Sequence, residues 1–232
     1  MEYKLKVVAG HLIFLPDDLS VPFESDIACS QLFMQLYADA QVDRFSDVDK
    51  WDQCFSRARS NMKWITTLSH AVNVNSDEYS SFSVISEVSG SLMHAQPNKP
   101  GITVGILSAG LKNFADDERA QRVFFESALK RPAAELKPDE NNVSNFCFLF
   151  SVLNPLNPLN QLLSVQLYLT LRGDPGIQIF ERALEGVEIV GTPALTVLCS
   201  ELNTLGYENV REKVNRYVKS VAVDKIIDLA IN

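Results

Sequence analysis

Residues 145–153, NFCFLFSVL, and residues 162–173, LLSVQLYLTLRG, decide how this chain folds. Both runs are apolar at odd and even positions alike. Because successive side chains of a strand point to opposite faces of a sheet, such runs read as strands covered from both sides. Between them NPLNPLN supplies the Pro and Asn that interrupt regular structure, so the pair belongs at the centre of a sheet, joined by a turn. A sheet covered on both faces needs a helix layer on either side.

The N-terminal half supplies helices for those layers. Residues 3–15 are rich in Val, Ile, Leu and Phe and stop at Pro16, which predicts a first strand. From Cys29, the positions Leu32, Phe33, Leu36, Tyr37 and Ala40 recur at helical spacing. Ser46, followed by Asp47 and Asp49, reads as an N-cap with carboxylates in the first turn, and Val48, Trp51, Phe55, Ala58 and Met62 continue a second helix. Residues 66–74 alternate as a half-exposed strand. Ile85, Val88 and Leu92, then Val104, Leu107, Leu111 and Phe114, mark two further helices around QPNKPG at 96–101. RVFFESAL at 122–129 favours a strand through its aromatic content, although a helix capped by Asp116 or Asp117 fits the same residues.

Residues 132–145, PAAELKPDENNVSN, read as a polar, Pro-containing loop. Beyond the central pair, another strand is expected between Ile177 and Val190. Thr192-Pro193 resembles an N-cap followed by Pro at the first helical position, which predicts a helix with Leu195, Leu198, Cys199 and Leu202 buried and Gly206 at its end. Val210, Val214, Tyr217 and Val221 carry a last helix. The elements add up to one α+β domain over residues 1–232, a three-layer α/β/α arrangement with a mostly antiparallel central sheet flanked by helices.

Composition narrows the function. The chain has 21 basic and 29 acidic residues, a net charge of -8, and no Lys/Arg cluster denser than Arg57/Arg59 or Lys130/Arg131. Nucleic-acid affinity comes largely from neutralising phosphates, so nucleic acid is not expected as a partner. Cys29, Cys54, Cys147 and Cys199 stand far apart in apolar surroundings, without the close pairs of zinc or redox motifs, and read as buried reduced thiols. The N-terminus, broken by Lys4, Lys6 and His11, lacks a signal-peptide core; a soluble product, cytoplasmic or released from the cell, is expected.

Catalytic patterns fail on spacing. Gly105-Ile-Leu-Ser108-Ala-Gly110 places two residues where a nucleophile elbow has one, and Gly110 is followed by Leu111 where a phosphate loop has Lys. Small residues that let a helix pack closely fit the run better. Asp47-Val-Asp49 is better explained by helix capping than by a metal. His11, His70 and His94 show no ligand spacing, and His70, on the apolar side of its strand, reads as a satisfied half-buried ring. No catalytic residue, metal or cofactor is expected, and an enzyme would have to assemble its site from distant residues.

One feature stands apart. Between Glu87 and Lys112 the only formally charged side chain is Lys99, although surface helices normally carry a charged outer face. Ile85, Leu92, Val104, Leu107, Leu111 and Phe114 are therefore candidates for contact with a second apolar environment, and Gly90, Gly105 and Gly110 weaken the helices that carry them.

A helix pair, a strand, a second and less charged helix pair, long apolar strands and a terminal helix follow one another over most of residues 3–232. This order resembles that of the Cyt-type cytolytic toxins. The resemblance implies helical layers flanking a sheet, lipid binding and membrane damage without catalysis. The leading expectation is a non-enzymatic membrane-perturbing, pore-forming or cytolytic protein, with a lipid membrane as partner and homo-oligomers as one assembly. The alternative is a soluble module that binds another protein, with Tyr168, Trp51 or Trp64 as anchors.

Overall fold

In the computed structural model, residues 2–73, 81–95, 104–131, 143–154 and 160–231 are described. β1 (Tyr3–Val8) and β2 (His11–Pro16) form a hairpin, followed by α1 (Val21–Gln41), α2 (Val48–Asn61) and β3 (Trp64–Asn73). The short β4 (Ser81–Phe82) leads into α3 (Val84–Ala95), and α4 (Val104–Ala115), α5 (Glu118–Ala128) and the short β5 (Leu129–Lys130) come next. The two apolar runs become β6 (Val143–Leu153) and β7 (Gln161–Arg172). After a 3-10 turn at Gly176–Phe180 come β8 (Leu184–Glu185), β9 (Ile189–Leu202), α6 (Thr204–Lys225) and β10 (Ile226–Ala230).

The main sheet runs β10-β1-β2-β6-β7-β9-β3, with β5 added beside β6, and β4 pairs with β8 separately. Along it β2–β6 is parallel and the other pairs are antiparallel, with β6 at the middle, as its two-sided apolar pattern requires. The fold is α+β, and the two faces of the sheet carry separate cores. Phe14, Phe146, Phe148, Phe150, Val165 and Leu167 belong to a core shared with α3, α4 and α5. Ile13, Leu15, Leu149, Leu153 and Leu162 belong to another, shared with α1, α2 and α6.

The first strand divides in two. Residues 9–10 form a tight turn, with Ala9 at φ +50°, and Val8 pairs with His11 across it. α1 starts at Val21, with a Pro in its first turn, before the periodic stretch that marked it. Asp47 rather than Ser46 caps α2: its carboxylate accepts from Lys50 N at 3.1 Å, and the expected Trp51, Phe55, Ala58 and Met62 are buried.

Residues 122–129 are mostly helix, not strand. Asp117 caps α5 by accepting from Ala120 N at 2.8 Å, and Ala120, Val123, Phe124 and Ala128 bury one face, so a capped helical stripe overrides the β preference of paired aromatics. Between Ile177 and Val190 the extended stretch shrinks to β8 and the start of β9, preceded by the 3-10 turn.

The Thr192-Pro193 signal also fails, because those residues lie in β9. The β7–β9 ladder pairs Tyr168 with Ala194 and Thr170 with Val190, so residues 191–193 bulge out opposite Leu169, and β3 reaches β9 only as far as Ala194. Pro193 therefore sits where no ladder hydrogen bond is required of it. Gly206 lies in the first turn of α6, where Asn203 caps it by accepting from Gly206 N at 2.9 Å. β10 has no counterpart among the expected elements; it pairs with β1 from Lys4↔Ala230 to Val8↔Ile226. The expected loop at 132–145 falls, for residues 132–142, outside the described residues, and its last three positions begin β6. Residues 96–103 and 155–159, with all of QPNKPG and most of NPLNPLN, also lie outside.

Candidate functional site: a weakly charged helix pair

α3 and α4 cover the aromatic face, α3 over β7 and β9 and α4 over β1 and β10. Leu92, Leu107 and Phe114 are at most 1% exposed, and Leu111 is also buried, so these candidates form the surface that docks the pair onto the sheet. Ile85 is half-buried against the same core, whereas Val104 is 49% exposed. Gly110 decides how close α4 can come. A β-carbon there would lie 2.4 Å from the Phe14 ring and 3.1 Å from Ile231 Cδ1, which explains a small residue in the Gly105–Gly110 run by packing.

The outward surface of the pair is formed by Ser86, Met93, His94, Val104, Gly105, Ser108 and Lys112. Glu87 is half-buried at its flank, and burial raises its carboxyl above the ordinary glutamate range. Among the described residues no ion pair ties α3 or α4 to the sheet; a side-chain hydrogen bond runs from Asn113 Nδ2 of α4 to Ala230 O of β10, 2.5 Å. β4, pairing with β8, anchors the start of α3.

Two openings undercut α3. A cleft of ≈ 510 Å³ is lined by Ile85 and Ser86 near its start, Ser108 and Lys112 of α4, and Phe180 and Arg182 on the opposite wall. The Arg182 guanidinium grips Glu188 at 2.7 and 2.6 Å, which drives the Glu188 carboxyl down to about 2 and pins that wall. A second groove of ≈ 440 Å³ lies at the other end of α3, lined by Leu68, His70, Val72, Ser91, His94, Ala95 and Val197. It brings His70 and His94 together on a mostly apolar lining that holds no carboxylate. His70 itself is exposed, not half-buried, because β3 is an edge strand.

The opposite face has a different chemistry. His11 is fully buried and its Nε2 lies 2.6 Å from Ser151 Oγ, which in turn lies 2.5 Å from Ser164 Oγ. Burial, reinforced by Arg59 and Arg44, lowers its pKa to about 3, so the ring is neutral. Arg44 meets Asp39 in a bidentate pair at 2.9 and 2.6 Å, and Trp51 Nε1 donates to the same carboxylate at 2.7 Å. Arg211 on α6 grips Asp26 on α1 at 2.8 and 2.7 Å, Lys6 of β1 pairs with Glu24 of α1 at 2.8 Å, and Gln35 donates to Val8 O at 2.9 Å. Ser151 and its His11 partner have no solvent access, so the relay ties the sheet together rather than offering a nucleophile. Ligand spacing does not single out His11; its neighbours in an apolar strand, which bury any polar ring, are the signal that marks it.

The four cysteines are free, Cys147 and Cys199 buried and Cys29 and Cys54 half-buried. Burial pushes the Cys147 thiol up to about 11. Trp51 and Trp64 are buried and do not serve as interface anchors. Trp64 donates to Ser30 Oγ at 3.0 Å. Among the described residues no group of His, Cys, Asp or Glu is placed to hold a metal, and no helix is long and apolar enough to cross a membrane.

No protein-family model and no curated protein matches the sequence. Among solved structures the chain is similar to the Evf virulence factor, with 9% identity, a TM-score of 0.42, and 92% of this chain and 84% of that one covered. It is also similar to a delta-endotoxin, with 8% identity, a TM-score of 0.43, and 83% and 80% covered.

Proposed function

We propose that this chain is a non-enzymatic, toxin-like protein that binds and perturbs membranes, with the α3–α4 pair leaving the sheet to lie on the lipid. The observation that carries this reading is how the pair is held. Apolar burial against the sheet can be exchanged for burial in lipid, because acyl chains are as apolar as the Leu and Phe side chains left behind. Hydrogen bonds and ion pairs have no such replacement, and among the described residues no ion pair links α3 or α4 to the sheet. Leu92, Leu107, Leu111 and Phe114 then become the lipid-facing side of the pair, joined by Ile85 and Val104.

Departure of the pair uncovers β7 beneath α3, while its neighbour β6 keeps its contact with α5; the two strands have 12 and 11 residues. A tilted strand needs about 9–11 residues to cross a bilayer, so both are long enough to form the inserted or oligomerising part. Dye release from liposomes, run beside light scattering on the free protein, tests the proposal. Leakage accompanied by assembly is expected. A monomer that leaves every liposome intact contradicts it and favours the soluble binding module.

A further inference from the structure

The two edges of the main sheet differ in how they are guarded. β10 is five residues long, carries Asp228 in its middle, and has its Ala230 carbonyl taken by Asn113. β3 is ten residues long. Its residues 65–71 are all exposed, with Ile65 at 53% and Leu68 at 41%. Among the described residues nothing pairs with its outer side. Edge strands of proteins that stay single are blunted by shortness, Lys, Pro, bulges or a covering element, because their open N–H and C=O groups template another strand. The ladder is irregular only near its start, between Thr66 and Leu68; from Leu68 to Asn73 it is regular.

We propose that the outer edge of β3 is a self-association surface, where two copies of this chain pair antiparallel and join their sheets into one. The occupant follows from charge. A two-fold contact sets a stretch against itself, so any charge on it meets its own like. From Trp64 to Asn73, WITTLSHAVN, there is no Asp, Glu, Lys or Arg, although the chain as a whole carries -8. This neutral strip lets two acidic molecules approach without bringing like charges into register. Leu68 and the half-buried Val72 of the adjacent groove extend the contact with apolar surface. The pairing is independent of the membrane reading, since it requires no movement of α3–α4.

Sedimentation velocity of the full chain tests it in the absence of lipid. The wild-type protein is expected to shift, as concentration rises into the high micromolar range, from the mass of one 25.9 kDa chain to twice that mass. Ser69→Lys combined with Ala71→Lys, both on exposed side chains of β3, sets Lys against Lys across the two-fold and is expected to return the protein to a single chain with an unchanged circular-dichroism spectrum. Either substitution alone serves if the double variant fails to fold. Ala230→Lys on the opposite edge should leave the association intact. A wild-type chain that stays single throughout, or a dimer that survives the β3 substitutions, overturns the proposal.

Discussion

The two faces of the sheet are covered to similar depth by different means. α1 is tied to the sheet by the Lys6–Glu24 pair and by the Gln35–Val8 and Trp64–Ser30 hydrogen bonds, and α6 is tied to α1 by the Arg211–Asp26 pair. α3 and α4 share an apolar core with Phe14, Phe148, Phe150 and Leu167, and among the described residues no ion pair links them to the sheet. Buried polar partners must be matched in any new environment, whereas apolar contacts are interchangeable with lipid. The layer that can leave is therefore the generic one, and the face with specific partners holds.

The largest expected effect is on the polar face and comes from acid. His11 titrates near 6.5 when unfolded and at about 3 when folded, so the unfolded state takes up the proton first and stability falls as pH drops from 6.5 towards 3. A shift of that size corresponds to roughly 5 kcal/mol across the window. Urea midpoints measured against pH should fall through this range and flatten in His11→Gln. An equally steep curve in the variant would mean that other groups set the acid response.

On the apolar face the difference is most exposed to test at Gly110. Gly110→Ala forces a methyl against the Phe14 ring and should cost about 1–3 kcal/mol, as overpacked sites do. Because that strain bears on the docking of α4, hydrogen exchange should rise first in α3 and α4 while α1 and α2 stay protected, and liposome leakage should increase. Uniform loss of protection would make the two faces one cooperative unit.

The smallest effect concerns Glu87, whose carboxyl is raised by burial. Its protonated form is favoured in the folded chain below its folded pKa, and that contribution is lost as pH rises through it, the opposite direction to His11. In a bilayer the charged form is costlier still, so leakage should grow as pH falls towards the glutamate range, and Glu87→Gln should leak more than the wild type at neutral pH. A variant with the wild-type pH profile denies Glu87 this role.

How much of the fold is legible in the sequence depends on whether the signal is local. β6 and β7 can be read at the centre because a short run apolar on both sides fits little besides a strand buried between two layers, and α3 and α4 can be read because their period is clean. Pro193 misleads because its meaning is set by partners: a proline that starts helices is also harmless at a bulge beside Leu169 and past the end of β3. β10 escapes because five residues after a helix become a strand only when β1 offers an edge. The candidate residues of the helix pair are legible as apolar faces, but not the contrast that gives them meaning. That contrast needs Lys6 to meet Glu24 and Trp64 to meet Ser30 between sheet and helix, and nothing in their spacing announces it.

A disulfide that ties α4 to the sheet puts the departure of the helix pair to the test. Cysteines replacing Asn113 and Ile231 flank the point where α4 meets β10, through the Asn113–Ala230 hydrogen bond. Dye release from liposomes is then measured with the bond oxidised and again after reduction. Leakage should be lost in the oxidised protein and restored by reductant; leakage that persists with the bond closed contradicts the departure of the pair.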